Sequence, residues 1–419
     1  MTKQLVVIGQ GYVGLPLARA ATRAGFSVAG LDANPRTVAR LNNGSSHVDD
    51  IPDEDVRNML EAGYSATGDP SSISRADVVV VCVPTPLGED GSPDLSAIVS
   101  SGEAIAAHMK SGCLVVLEST TYPGTTEELF LPLLESKGAV QGETFHLAFS
   151  PERIDPGNRN YRLENTPKLV GGVSDEATRK ATQFYKTFVD VVVPMKGARE
   201  AETAKLLENT YRHINIALVN EMAKFCHELD IDIWDVIRGS STKPFGFQAF
   251  HPGPGVGGHC IPIDPNYLGY QVKKVLGYPF RFVELAQEIN GSMPRYVVSR
   301  CSEILNDDMK SIKGSNILLI GVTYKPNIAD QRESPSAPIA SLLQAAGADL
   351  HYFDPHVPHW KAPASPLTCS PDVVKAAAEA DLVVILQDHS NVDLAGIVAS
   401  SRRTLDCRGR AEGANVIRL

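Results

Sequence analysis

Cys260 is the residue of this chain best suited to covalent chemistry. It ends the glycine-dense run Phe250-His251-Pro252-Gly253-Pro254-Gly255-Val256-Gly257-Gly258-His259-Cys260, and Asp264 follows four residues later. Glycines let backbone amides approach a ligand at little steric cost, and a thiol becomes a useful nucleophile when nearby charges or dipoles lower its pKa. The run therefore predicts a nucleophilic Cys260. Asp264 is a candidate general base or a structural turn residue, and His259 either tunes the thiol or contacts the substrate.

A second group of polar residues shares one face of a predicted helix. Lys205, Asn209 and Arg212 stand at i, i+4 and i+7 in the segment 198–229, which contains neither proline nor glycine. A solvated stripe usually explains such spacing. Here the opposite face is apolar and the helix separates two nucleotide-type regions, so an inward-facing stripe is at least as good an interpretation. Its lysine and asparagine could then stabilise an oxyanion at the reacting carbon.

A cofactor signature stands near the start of the chain. The apolar run 4–8 is followed by G-x-G-x-x-G, and Asp32 ends the next predicted strand 18 residues after the last glycine, near the offset of about 20 found in dinucleotide-binding folds. The glycines allow a tight turn and bring the pyrophosphate to a helix N-terminus. Asp32 repels a 2′-phosphate and so favours NAD over NADP, although Arg36 is placed to accommodate that phosphate. The predicted cofactor contacts here are Gly9, Gly11, Tyr12, Val13, Gly14 and Asp32.

Two further segments follow predicted buried strands. Val83-Pro84-Thr85-Pro86 comes after the run 76–82, and Ser119-Thr120-Thr121-Tyr122-Pro123 ends the run that begins at Cys113. Ligands of open α/β sheets bind at the carboxyl ends of parallel strands, so Val83, Thr85 and Thr121 are candidate cofactor contacts. Rigid turns are the alternative interpretation of both segments.

The alternation of elements predicts the frame that positions these groups. Strands alternate with helices through about residue 195, and the alternation begins again near residue 312, where the segments 346–354 and 380–386 echo 24–32 and 76–82. We predict an α/β fold of two Rossmann-like, doubly wound parallel-sheet domains joined by a long central helix and a helical middle domain. The central helix is also a candidate subunit interface, giving a homodimer or a larger homo-oligomer. The predicted domains are 1–195 for the cofactor, 196–306 for the helical middle with the cysteine loop, and 307–419 for a second nucleotide-type ligand.

Composition limits the class of protein. The 419 residues are 43% hydrophobic and 21% charged, with a net charge of −10, which is ordinary for a soluble enzyme and argues against nucleic acid or an anionic membrane as partner. No apolar run approaches the roughly 20 residues that span a bilayer. The N-terminus leads directly into a strand, so we expect no signal peptide and a cytoplasmic location. Seven cysteines without a C-x-x-C spacing argue against a disulfide framework or a metal site.

These motifs together resemble the UDP-glucose/GDP-mannose dehydrogenase family over essentially the whole chain. The resemblance implies two successive NAD-dependent oxidations of a nucleotide sugar at C6, through a thiohemiacetal and a thioester on Cys260, with the uridine diphosphate held by the third domain. The matching motifs are Gly9-Gln10-Gly11-Tyr12-Val13-Gly14-Leu15-Pro16, Val83-Pro84-Thr85-Pro86, Ser150-Pro151-Glu152-Arg153, Lys205-Leu206-Leu207-Glu208-Asn209, Gly257-Gly258-His259-Cys260 with Asp264, Gly321-Val322-Thr323-Tyr324-Lys325 and Arg332-Glu333-Ser334.

The resemblance also implies a role for each matching residue. Cys260 would be the nucleophile, and Asp264 would assist its chemistry or activate water. Lys205 and Asn209 would stabilise the oxyanion. Thr121 and Glu152 would position water or take part in proton transfer, and Arg332 would contact the cofactor. The predicted substrate contacts are Glu152, Arg153, Lys205, Asn209, Arg212, Phe250, His251, Gly257, His259, Tyr324 and Lys325.

The sugar is a finer question. UDP-glucose dehydrogenases often carry Pro-Glu-Phe-Leu and a second glutamate where this chain has Pro151-Glu152-Arg153-Ile154-Asp155-Pro156-Gly157, so that Pro156 replaces the glutamate. The UDP-N-acetylhexosamine branch of the family is resembled by the motif with Arg153 and by the runs 242–247 and 252–255. Within that branch, UDP-N-acetylglucosamine is favoured by the runs 242–247 and 261–265. UDP-N-acetylmannosamine and UDP-glucose are the alternative substrates.

Two other functions are weaker interpretations of the same chain. A single-step hydroxyacid dehydrogenase of the 6-phosphogluconate type needs neither Cys260 nor a second nucleotide-type region. A nucleotide-sugar sensor without activity would be expected to have lost Cys260, Lys205 or Asp264, and all three are present.

Overall fold

The computed structural model describes residues 3–48, 50–88, 92–154, 158, 160–258, 261–362 and 365–419. The chain divides into two compact units, of which the first comprises residues 1–208 and 266–278 and the second residues 209–265 and 279–419. The three-domain division at residues 195 and 306 stays a prediction.

The first unit is built on one sheet. Its strands are β1 (Gln4–Ile8), β2 (Ser27–Leu31), β3 (Tyr64–Thr67), β4 (Val78–Val81), β5 (Cys113–Leu117), β6 (Phe145–Phe149), β7 (Lys168–Gly172) and β8 (Val192–Pro194). Within the described residues they form an eight-stranded sheet in the order β3-β2-β1-β4-β5-β6-β7-β8. Neighbouring strands are parallel except β6 and β7, which run antiparallel.

Helices cover both faces of this sheet, which explains why its strands are almost wholly apolar. Val7, Val80 and Val116 pack into one core layer, and Val6, Val79 and Val115 pack into another. The helices are α1 (Gly14–Arg23), α2 (Pro35–Asn42), α3 (Asp53–Glu61), α4 (Ser96–His108), α5 (Leu131–Glu135) and α6 (Asp175–Tyr185), with a 3₁₀ turn at Pro70–Arg75 and a π turn at Thr126–Phe130. Asn34 starts α2 by accepting a hydrogen bond from the Arg36 amide, with Pro35 at the first helical position.

The long central helix predicted over 198–229 is present as α7 (Ala198–Glu228), and it contributes residues to both units. At 31 residues it is roughly 46 Å long. Three further helices belong to the middle of the chain, namely α8 (Ile233–Ser240), α9 (Asp264–Leu276) and α10 (Arg281–Asp307). The Asp232 side chain caps α8 by accepting from the Trp234 and Asp235 amides.

The second unit contains a parallel sheet with the strand order β10-β9-β13-β14-β15, formed by β9 (Asn316–Ile320), β10 (Asp349–Phe353), β13 (Leu382–Ile385), β14 (Thr404–Asp406) and β15 (Val416–Arg418). A separate antiparallel pair joins β11 (His359–Trp360) to β12 (Leu367–Thr368). The helices α11 (Ser336–Ala345), α12 (Val373–Glu379) and α13 (Leu394–Ser400) complete the sequence of elements.

The two sheets repeat the same hydrogen bonds at the end of their first strand. The Gly9 amide donates to Leu31 O, and the Gly321 amide donates to Phe353 O, each at 2.8 Å. The next amide in each half donates to an aspartate, Asp32 Oδ2 at 2.9 Å in the first half and Asp354 Oδ2 at 2.7 Å in the second. The predicted fold of two Rossmann-like sheets with a helical central region is therefore confirmed. Among the described residues, no helix is both long and apolar enough to cross a membrane.

Candidate active site

The turn between β1 and α1 assigns a different task to each of its three glycines. Gly9 has φ +88°, and a Cβ there would lie 2.7 Å from Cys82 O. A Cβ on Gly14 would lie 1.8 Å from Gly9 O, so this glycine is needed for helix packing. A Cβ on Gly11 would meet no protein atom within 4 Å. Gly11 therefore leaves the turn open to a phosphate at the start of α1, as NAD binding requires.

Asp32 follows β2 and is held in place by backbone amides. Its Oδ2 accepts from the Gln10 amide at 2.9 Å, and its Oδ1 accepts from the Asn34 amide at 2.8 Å. Tyr64 Oη donates to Gln10 Oε1 at 2.8 Å behind this turn. Burial, together with the charge of Asp32, raises the pKa of Tyr64, so the phenol stays a neutral donor. The carboxylate itself is half-buried and suited to bind ribose hydroxyls.

The other predicted cofactor contacts of the first unit have mixed surroundings. Thr85 is buried, and its carbonyl accepts from Tyr267 Oη of α9 at 2.6 Å. Val83 and Val13 are half-buried, whereas Tyr12 is exposed. The Arg36 side chain is exposed on α2, so its relation to a 2′-phosphate stays a prediction.

Thr121 belongs to a buried cluster that the sequence did not reveal. Glu202 of α7 accepts from the Gly124 amide at 2.6 Å, from the Thr126 amide at 2.9 Å and from Thr126 Oγ1 at 2.6 Å. Thr121 Oγ1 lies 3.5 Å from the same carboxylate. Burial raises the pKa of Glu202 to about 7, against the opposing effect of these donors. Glu202 thereby ties α7 to the loop after β5.

Lys205 lies one turn further along α7 and is also buried. Its Nζ donates to Thr120 Oγ1 at 2.5 Å, next to Thr121. The structure therefore brings the predicted oxyanion-stabilising lysine and the predicted water-positioning threonine to the same loop. The two residues are 84 positions apart in the sequence, and no motif predicts their proximity.

Glu152 comes after β6 and lies in a second buried cluster. Its Oε1 accepts from the Ile154 amide at 2.5 Å, and its Oε2 lies 3.6 Å from Lys168 Nζ. Lys168 Nζ is also 3.2 Å from Glu118 Oε1, to which Tyr185 Oη donates. Sequence reasoning missed Glu118 and Lys168. The available signal was their location, since Glu118 directly follows β5 and Lys168 begins a buried strand.

Arg153 is engaged within the protein. Its guanidinium forms a two-pronged ion pair with Glu208 of α7, at 2.7 Å and 3.1 Å, and donates to Pro167 O at 2.5 Å. Its predicted contact with the substrate stays a prediction.

Asp264 and Asn209 are joined directly in the second unit. Asn209 Nδ2 donates to Asp264 Oδ2 at 2.6 Å, and Asp264 is only 2% exposed. Cys260 and His259 lie outside the described residues, but the turn at 261–263 leads from them into Asp264, the first residue of α9. The predicted base candidate is thus buried and bonded to the predicted oxyanion-stabilising asparagine. Arg212 is exposed on α7.

Buried amides hold the beginning of the cysteine loop. The Gly253 amide donates to Asn220 Oδ1 at 2.9 Å, and Asn220 Nδ2 donates to Asn290 Oδ1 at 2.9 Å. This pair connects α7 to α10 beneath the loop. The two predicted substrate residues at the start of the loop pack on rings, since Phe250 lies 5.8 Å from Tyr211 and His251 stacks on Trp234 at 5.8 Å.

The end of the loop packs against the segment that carries Tyr324. A Cβ on Gly257 would lie 2.6 Å from Tyr324 Cβ, and one on Gly258 would lie 2.5 Å from the Tyr324 ring. The Gly258 amide donates to Arg332 O at 3.1 Å. These glycines therefore permit close packing within the protein, whereas the sequence suggested approach to a ligand. Lys325 is half-buried, and Arg332 pairs with Asp330 at 2.6 Å.

Known proteins similar to this chain are nucleotide-sugar dehydrogenases. The chain matches the UDP-glucose/GDP-mannose dehydrogenase family in its NAD binding domain over residues 3–189, its central domain over 199–292 and its UDP binding domain over 318–410. Over 394 residues it is 35% identical to the UDP-N-acetyl-D-mannosamine dehydrogenase of Methanococcus maripaludis, covering 92% of this chain and 86% of that protein. Over 357 residues it is 34% identical to the UDP-N-acetyl-D-glucosamine 6-dehydrogenase of Pseudomonas aeruginosa, covering 84% and 83%. The structure of UDP-D-ManNAc dehydrogenase from Pyrococcus horikoshii superposes with a TM-score of 0.89 at 30% identity and covers 99% of this chain and 98% of that one.

The fold, the glycine turn and Asp32 define an NAD-dependent oxidoreductase. The chain belongs to the UDP-glucose/GDP-mannose dehydrogenase family. It carries the UDP binding domain of that family, so its substrate is a nucleotide sugar.

Proposed function

We propose that this chain oxidises C6 of a UDP-N-acetylhexosamine to the carboxylate in two steps, with Cys260 as the nucleophile. The observation that carries the proposal is the 2.6 Å hydrogen bond from Asn209 to the buried Asp264. It supports a site in which Asn209 and the residues after Cys260 act on the same carbon. NAD held at the turn around Gly11 would supply the hydride acceptor for each oxidation.

The residues supply the other parts of the reaction. A base removes the C6 hydroxyl proton as the hydride leaves, which gives an aldehyde. Cys260 Sγ then adds to the aldehyde carbon, and Lys205 and Asn209 stabilise the oxygen of the resulting thiohemiacetal. Loss of the second hydride gives a thioester. Asp264 is the candidate base for the thiol and the hydroxyl.

Carboxylate release needs an activated water. Glu152, oriented by the Ile154 amide, takes a proton from the water while Thr121 helps to position it. The water oxygen bonds to the thioester carbon, the C–S bond breaks, and its electron pair returns to Cys260 Sγ.

The sugar is proposed from motifs and relatives together. The runs 242–247 and 261–265 favour UDP-N-acetylglucosamine, and a similar protein from Pseudomonas aeruginosa bears that activity in its name. UDP-N-acetylmannosamine is the second candidate, because the Methanococcus maripaludis relative is named for it. Initial rates with UDP-N-acetylglucosamine, UDP-N-acetylmannosamine, UDP-N-acetylgalactosamine and UDP-glucose under identical conditions separate these possibilities.

The mechanism is tested by counting reduced cofactor. We expect two NADH for each sugar consumed, measured at 340 nm against product quantified by chromatography. Cys260→Ser should stop before the carboxylate is released, while Cys369→Ser, which replaces a thiol outside the proposed site, should turn over normally. One NADH per sugar, or full turnover by Cys260→Ser, would contradict the thioester route.

The proposed assembly is a homodimer through α7. Tyr211, Leu218 and Phe225 recur every seven residues along this helix and are 45%, 53% and 44% exposed. A seven-residue apolar repeat is the pattern by which helices pair, and apolar side chains left in water at this density indicate an interface.

A further inference from the structure

Behind Glu152, the first unit buries two charged groups that the proposed steps do not use. Glu118 is 1% exposed and Lys168 is 3% exposed. Lys168 Nζ lies between two carboxylates, 3.2 Å from Glu118 Oε1 and 3.6 Å from Glu152 Oε2. Buried charges persist in proteins when they are paired, and breaking such a pair is costly. We call Glu118, Lys168 and Glu152 the buried triad.

The triad contains two acids for one cation. Burial raises the pKa of Glu118 to about 7, with the charge of Glu152 acting in the same direction and Lys168 opposing it. Tyr185 at the end of α6 and Cys82 after β4 also face the triad. Burial raises the pKa of both well above the ordinary values, so they remain uncharged. Arg153, the neighbour of Glu152 in the chain, is paired with Glu208 instead.

One oxygen of each carboxylate in the triad lacks a hydrogen bond, although Glu152 Oε2 lies 3.6 Å from Lys168 Nζ. Glu118 Oε2 and Glu152 Oε2 are buried and accept no hydrogen bond from the described residues. A buried oxygen without a donor is destabilising, so its retention calls for a reason. Acceptance of a proton, or of a bond from water, is such a reason at a site of hydrolysis.

We propose that Glu118 and Lys168 are positioning residues that set the charge of Glu152 during carboxylate release. The inference rests on the proposed function of Glu152 as proton acceptor for the attacking water. Lys168 Nζ places a positive charge 3.6 Å from Glu152 Oε2, on the carboxylate that takes this proton. Glu118 holds the ammonium group at 3.2 Å and so competes with Glu152 for it.

The two neighbours of Glu152 act with opposite sign, which makes the proposal testable by pH. Lys168→Met removes the cation, so the acidic limb of the kcat profile should move to higher pH, by about one pH unit or more. Glu118→Gln removes the carboxylate that competes with Glu152 for Lys168, so the same limb should move to lower pH. A purely structural role would lower the melting temperature without opposite movements of this limb.

Two matched variants keep the test decisive. Lys168→Arg retains the positive charge and should leave the limb near its original pH, even where Lys168→Met folds poorly. Lys110→Met breaks another ion pair of the same sheet, in which Lys110 Nζ lies 2.6 Å from Asp77 Oδ1, and should leave the limb unchanged. If Lys168→Met and Glu118→Gln shift the limb in the same direction, or not at all, the proposal is wrong.

The pH profile of kcat for Glu152→Gln separates the positioning role of Glu118 and Lys168 from the proposed role of Glu152 as proton acceptor. Full turnover by Glu152→Gln, with its acidic limb intact, would remove the assigned role of Glu152 and the positioning role with it. Loss of the limb in Glu152→Gln, together with unmoved limbs in Lys168→Met and Glu118→Gln, would overturn only the role of the positioning pair.

Discussion

At the scale of the residue, the carboxylate of Asp32 remains accessible to a ligand, whereas that of Asp354 does not. Both accept two backbone N–H bonds at the end of the second strand of a Rossmann-like half. His389 Nε2 lies a further 3.1 Å from Asp354 Oδ2, and both of these side chains are fully buried. Asp32 is half-buried and has no such cover among the described residues. The equivalent carboxylate is therefore a candidate ligand contact in one half and a structural bond in the other.

Replacement of Asp32 tests this assignment. We expect Asp32→Ala to raise KM for NAD about 10- to 100-fold, because hydrogen bonds to a charged group contribute about 1.5–3 kcal/mol. KM for NADP should rise less, since the variant no longer repels a 2′-phosphate. Steady-state kinetics with both cofactors measures the two effects. Asp354→Asn is the matched control and should leave KM for NAD unchanged; an unchanged KM in Asp32→Ala would contradict the assignment.

The sequence offers candidate site residues where a motif is strong, and their roles stay predictions, whereas it gives only a weak signal for buried charges. The structure brings Lys205 near Thr121 and joins Asn209 to Asp264. Glu118, Lys168 and Glu202 lie in no motif. A charged residue in a sequence is usually solvated, and only its tertiary neighbours decide that it is buried and paired.

At the scale of the element, the turn from β1 to α1 contains one glycine that we expect to be needed for ligand binding and another that we expect to be needed for folding. A side chain on Gly14 would collide with the turn, whereas one on Gly11 would meet no protein atom within 4 Å. Two substitutions of the same kind should therefore act on different properties.

We expect Gly11→Ala to weaken NAD binding at least tenfold with little change in melting temperature, because its methyl group enters only the space that the pyrophosphate needs. Gly14→Ala should lower the melting temperature, since it forces the helix away from the turn. Calorimetric titration with NAD and thermal unfolding of both variants give the comparison. Equal melting temperatures together with normal NAD affinity for Gly11→Ala would contradict it.

Elements with regular periodicity were predictable, and contacts between distant segments were not. The four valines of β4 and the uninterrupted helix α7 follow from the sequence pattern. The antiparallel placement of β7 and the packing of Gly257 and Gly258 on Tyr324 depend on neighbours far away in the chain. Some glycines leave room for a ligand, and others leave room for a neighbouring side chain. The sequence alone does not distinguish the two kinds.

At the scale of the whole molecule, the exposed apolar residues Tyr211, Leu218 and Phe225 of α7 predict a homodimer. Leu218→Glu places a charge in the middle of the proposed interface, so we expect it to yield monomers at concentrations where the unchanged protein is dimeric. Sedimentation velocity measures the change. Glu221→Gln, a substitution of a polar residue on the same helix, should leave the dimer intact; a dimeric Leu218→Glu would show that the interface lies elsewhere.

The contact between His389 and Asp354 has a kinetic consequence. Because Asp354 is closed to ribose hydroxyls while Asp32 is not, we expect NAD to find one compatible carboxylate of the two, although both follow the same strand pattern. NAD in large excess should therefore not compete with the sugar nucleotide, as initial rates at rising NAD concentrations would show.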